Sequence, residues 1–177
     1  MVRIVTRSAL VVLVAEAEPL VAHHRFLHDP VAARGVPAHV TVLHPFRAVV
    51  DVATAHTVEN LAAEISSFRA TFAAVDRFPG EVVYLAPEPL EHFEQMTLTF
   101  AEAFPDCPPY GGTIPDPHPH LTVGSRVNET TADFLERAMT AGLPISTHVE
   151  RLTLLVEDDD GMWSVGTSWP LRGATNG

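Results

Sequence analysis

The sequence predicts an α+β fold, and three observations carry that prediction. Strand-like and helix-like runs follow one another roughly in the order β-α-β, α, β-β, α, β, α, β-β, with neither type dominating. Apolar residues make up 46% of the 177-residue chain, enough for a sizeable core within one domain. A four-residue pattern occurs twice, as His39-Val40-Thr41-Val42 and, about eighty residues on, as His120-Leu121-Thr122-Val123. Each half of the chain thus delivers one copy. The domain is expected to span residues 1–172, with 173–177 a flexible tail.

Ser8 to Ala15 reads as a strand buried on both faces, because its apolar residues run continuously instead of alternating. Arg3 and Arg7 ahead of it lend a superficial likeness to a secretory leader, but the run is short, β-branched and bounded by Glu16 and Glu18. Glu18 to His28 has helical character and ends at Asp29-Pro30, since a residue before proline avoids the α region. His24 and His28 are four apart on this helix, a spacing that can hold a metal. No glutamate completes the zinc-protease pattern, so these two and His23 read as exposed histidines. Pro37 to Leu43 is the first motif strand, ended by His44-Pro45-Phe46.

Asp51 to Ser66 is an amphipathic helix, with Ala55, Val58, Leu61, Ala62 and Ile65 on one stripe and Asp51 as its N-cap. Phe68 to Phe78 and Glu81 to Ala86 form a hairpin about Pro79-Gly80. Pro89 to Phe104 is the next helix. Cys107 to Pro119 is irregular, with five prolines and a Gly-Gly pair, and its place before a motif strand suits a lid or specificity loop. His120 to Arg126 is the second motif strand, in which Gly124 is expected to leave room for a ligand. Thr130-Thr131-Ala132-Asp133 opens a helix to about Ala141. His148 to Val156 is a single strand, and Asp160-Gly161 turns the chain into a last one from Met162 to Leu171.

Strand geometry converts the duplicated pattern into a candidate site. His39 and Thr41 share a face roughly 7 Å apart while Val40 and Val42 point the other way, and the second copy repeats this with His120 and Thr122. If the aliphatic faces are buried, two imidazoles and two hydroxyls look into a common groove. Such a set suits phosphoryl chemistry, one imidazole removing a proton from the attacking oxygen and the other protonating the leaving one. Around it, Arg126 and Arg47 are candidates for a phosphate contact. Phe46 reads either as an aromatic wall for a base or as core, and Tyr110 either as a base or phosphate contact or as loop packing.

On these residues the chain resembles the 2H phosphoesterase superfamily, and within it the family of 2'-5' RNA ligases and 2',3'-cyclic phosphodiesterases. The likeness rests on His39-Val40-Thr41-Val42 with Leu43-His44-Pro45-Phe46, on Pro119-His120-Leu121-Thr122-Val123, on Phe78 to Leu85, and on the hairpin at Asp160-Gly161. The resemblance implies a bilobal fold with two pseudo-twofold-related antiparallel sheets lining a central cleft, helices outside. It implies that His120 acts as base and His39 as acid on a cyclic phosphate, with Thr41 and Thr122 donating to nonbridging oxygens, and with no metal or cofactor. A 2H enzyme for another small cyclic ester, and a non-catalytic nucleotide-binding module, are the alternative readings.

Composition narrows the partners. The formal charge is −11 and all basic residues are arginines, which argues against a grip on long nucleic acid and for a small cyclic phosphate nucleotide or an RNA terminus. Cys107, the single cysteine, rules out an intrachain disulfide and a cysteine metal cage. No run approaches transmembrane length, and a cytoplasmic monomer is expected.

Overall fold

The structure is a computed structural model that describes residues 7–114, 116 and 118–174. Arg3 of the leader-like pattern and the end of the expected tail lie outside the described residues. The strands are β1 (Arg7–Leu13), β2 (His39–Leu43), β3 (Phe68–Phe78), β4 (Val82–Glu88), β5 (Leu121–Gly124), β6 (Ile145–Val149), β7 (Arg151–Glu157) and β8 (Trp163–Pro170). The α-helices are α1 (Glu18–His28), α2 (Val52–Glu64), α3 (Leu90–Ala103) and α4 (Glu129–Thr140).

These strands form two four-stranded antiparallel sheets, ordered β2-β1-β7-β8 and β5-β4-β3-β6. Each sheet carries one motif strand at its edge, and the two edges, β2 and β5, lie side by side. The α+β class and the bilobal arrangement therefore hold. The second sheet is contiguous in sequence, whereas the first is completed by β7 and β8 after the chain returns.

Periodicity explains the burial. Val40, Val42, Leu121 and Val123 are buried with Leu10, Val12, Val83 and Leu85 in one core, which Val58 of α2, Phe93 and Phe100 of α3, and Leu135 of α4 complete. α3 packs on β2, where the Thr97 hydroxyl donates to the Val42 carbonyl at 2.9 Å. α1 packs on β5 and α4 on β3 and β4. Asp51 caps α2, accepting from the Thr54 amide at 2.7 Å. Among the described residues no helix is long and apolar enough to cross a membrane.

Several expectations are corrected here. The run from His148 to Val156 is not one strand: β6 ends at Val149, Glu150 separates it from β7, and the two pair in different sheets. α4 is capped by Asn128, whose side chain accepts from the Thr131 amide, and not by the threonines after it. β5 ends at Gly124, and Arg126 takes a left-handed φ of 58°, so the alternation that would carry Arg126 along the His120 face is broken. Nor does Gly124 make room for a ligand. A Cβ there would sit 2.7 Å from Leu135 Cδ1 and 3.2 Å from Val127 Cγ1, so the glycine admits α4 against the sheet.

Candidate active site

The two motif histidines are held in matching ways. His39 Nδ1 lies 2.7 Å from the carbonyl oxygen of Pro37, and His120 Nδ1 lies 2.6 Å from that of His118. A carbonyl only accepts, so Nδ1 carries the proton in both rings and Nε2 is left as the free nitrogen. Both rings are half-buried, as are Thr41 and Thr122.

Electrostatics favour neutral imidazoles. Burial pushes the His39 pKa down to about 4 against the Pro37 hydrogen bond that supports the cation, with Arg25, His120 and His44 adding repulsion. His120 is lowered chiefly by burial as well, with its bond to His118 working the other way. His120 is among the charges that lower His39, and β2 lies beside β5, which His120 immediately precedes.

Of the remaining sequence candidates, Tyr110 joins them. It sits in a short 3₁₀ turn with φ 51°, its amide donates to the His44 carbonyl at 2.6 Å, and its phenol is near enough to Thr41 for that side chain to act on its pKa. Burial raises that phenol's pKa and keeps it protonated, a competent donor at neutral pH. Phe46 does not reach the groove. It is buried edge-on to Phe104 at 5.1 Å between centroids, because the chain turns inward after β2. Arg47 is engaged elsewhere, bonded to Asp106 and Thr54 and lying over the Phe104 ring. Arg126 is exposed beyond the end of β5, beside Asn128 and the C-terminal end of α1.

Two aromatic residues escaped the sequence reading. Phe78 and Tyr84 stack at 4.1 Å, and His120 meets their rings edge-on at 4.9 and 5.5 Å. Tyr84 pairs directly with Thr122 across β4 and β5, which puts it on the motif face. Its position on a strand was readable, but its partner strand was not.

A family model described as the 2'-5' RNA ligase superfamily matches residues 12–161. The chain belongs to the 2'-5' RNA ligase superfamily. Several solved structures resemble it in fold over nearly its whole length. E. coli LigT complexed with 3'-AMP is 19% identical, covering 94% of this chain and 98% of that one at a TM-score of 0.60. E. coli LigT complexed with NADP+ is 20% identical, with coverage of 95% and 98% and the same TM-score of 0.60. TT0787 of Thermus thermophilus is 21% identical, with coverage of 96% and 100% and a TM-score of 0.63. No curated protein matches the sequence. At these identities the structural likeness shows the fold alone, while the family model carries the superfamily, and both histidine motifs fall inside its span.

Proposed function

We propose that this superfamily member is a phosphoesterase that hydrolyses 2',3'-cyclic phosphates of nucleotides or RNA ends by two-histidine acid–base catalysis. What supports the reading is the matching hold on His39 and His120, each with Nδ1 against a backbone carbonyl, at strands that lie side by side. His120 Nε2 takes a proton from water as its oxygen attacks phosphorus. The bond from phosphorus to one ribose oxygen breaks, and His39 Nε2–H gives that oxygen its proton. A depressed pKa makes the His39 imidazolium the stronger donor, and the anionic substrate brings in the proton that burial disfavours. Thr41 and Thr122 donate to the nonbridging oxygens, Tyr110 supporting Thr41. The half-buried Phe78 ring, backed by the buried Tyr84, suits a base or ribose face.

The ligand class is supported by LigT, whose structures hold 3'-AMP, NADP+ or ATP. The charge of −11 supports a small ester or a short RNA end over a long duplex. Ligation in the reverse direction exchanges the two histidine roles.

The test is hydrolysis of the four nucleoside 2',3'-cyclic monophosphates in EDTA. Turnover is expected, falling about 10²- to 10⁴-fold in His39→Ala and in His120→Ala. The product isomer identifies the leaving oxygen. Nucleotide binding that survives both substitutions, with no turnover by the parent on any of these substrates or on a cyclic-phosphate RNA end, overturns the enzyme reading in favour of a binding module.

A further inference from the structure

The segment leading into His39 is gripped twice by one helix. Glu18, in the first turn of α1, accepts through Oε1 from the Ala38 amide at 2.6 Å. Arg25, two turns on, donates through Nη1 to the Val36 carbonyl at 3.2 Å. Between these two points lies Pro37, whose carbonyl accepts from His39 Nδ1. Arg25 is 2% exposed, and a second bond, Nη2 to Asp29 Oδ2 at 3.0 Å, sets its direction. The same helix packs on β5, and its last carbonyl, that of His28, accepts from the Ser125 amide at 2.8 Å just past that strand. One helix therefore holds the carbonyl behind the first motif while resting on the second.

We propose that Glu18 and Arg25 are positioning residues, a two-point clamp on Val36–Ala38 that fixes the tautomer and aim of His39 relative to His120. The inference rests on the reading of His39 as catalytic. The second lobe needs no such clamp on its amide side: the residue matching Ala38 is Pro119, which has no N–H and whose ring already fixes φ. The lobes thus reach the same histidine geometry by different means, hydrogen bonds to α1 in one and proline in the other. The clamp needs no contact between Glu18 or Arg25 and the substrate.

The test reads the imidazole tautomers directly, by ¹⁵N NMR of the full chain at a pH where both rings are neutral, without substrate. In the parent both histidines are Nδ1–H. Glu18→Ala is expected to mix the tautomers of His39 and leave His120 unchanged, and to lower kcat about ten- to a hundredfold with little change in KM. Glu18→Gln, whose side-chain oxygen still accepts, restores both. Arg25→Lys keeps the buried charge but reaches one acceptor instead of two, and loosens His39 even if Glu18→Ala proves too unstable to study. A His39 that stays Nδ1–H, with kcat unaltered, in Glu18→Ala or, failing that variant, in Arg25→Lys overturns the clamp. A parent without turnover instead strikes the functional reading, since the tautomers are measured independently of activity.

Discussion

Burial works against a positive charge on His39 and His120, while the carbonyls of Pro37 and His118 work in its favour, and burial wins at both. A histidine pair used as acid and base needs one ring protonated and one neutral. In the free protein the singly protonated pair is confined to the acid side of the ordinary histidine value of ~6.5. Because His39 is the more depressed ring, the working form with His39 protonated and His120 neutral is the minority arrangement until a phosphate anion binds. The pH profile of kcat/KM should therefore peak on the acid side of ~6.5 and fall about tenfold per pH unit beyond it. The kcat profile should lie higher, because a bound phosphate anion favours imidazolium. A kcat/KM that climbs from pH 6.5 to 8 would contradict the assignment. At this scale the sequence was informative where parity alone decides, as for His39 and Thr41 against Val40 and Val42. It was silent on Arg25, since an arginine on a helix reads as solvated and only the fold reveals one enclosed with Asp29. It also could not separate Phe46 as wall from Phe46 as core, because one apolar residue after a strand serves either.

Elements were legible where a cap or a period marks them. α1 starts at Glu18 and ends at His28, as its apolar spacing and Asp29-Pro30 require, and β3 runs from Phe68 to Phe78. Misreadings came where local pattern continues but partners change. Apolar and β-branched residues recur through Ile145 to Val156, and the Glu150-Arg151 pair between them reads as an exposed stretch of one strand. Nothing local announces that β6 and β7 belong to different sheets. The end of β5 was hidden for a related reason, since Gly124 answers to the approach of α4 and not to its own strand. Gly124→Ala would thrust a methyl into Leu135 and Val127, both buried, so neither can swing into solvent. The expected loss is about 1–3 kcal/mol of unfolding free energy, read from urea denaturation, with activity per folded molecule kept. An unchanged urea midpoint would show that α4 shifts aside freely.

For the molecule as a whole, the lowered histidines couple stability to acid. An unfolded histidine binds its proton near ~6.5, whereas folded His39 waits until about 4, and His24, His44 and His120 are lowered in the same direction. Their contribution is complete above ~6.5 and drains away as pH falls towards about 4. Asp51 and Asp106, held below the usual carboxylate range by Thr54 and Arg47, add a loss that begins only at lower pH. Urea midpoints should thus fall first between pH 6.5 and 4, and His39→Gln should flatten part of that slope. Midpoints constant from pH 7 to 5 would contradict this coupling.

The return of β7 and β8 to the first sheet bears on how the chain is made. Translation delivers β1 early, yet β1 is an inner strand and one of its two edges stays unsatisfied until Arg151–Glu157 emerges. The sheet built from 68–149, by contrast, has all its members within one uninterrupted stretch of nascent polypeptide. His39 leaves the ribosome first and finds its completed sheet last. A chain released prematurely after β6 would carry a finished second lobe and a valine-rich ribbon open to whatever strand it meets.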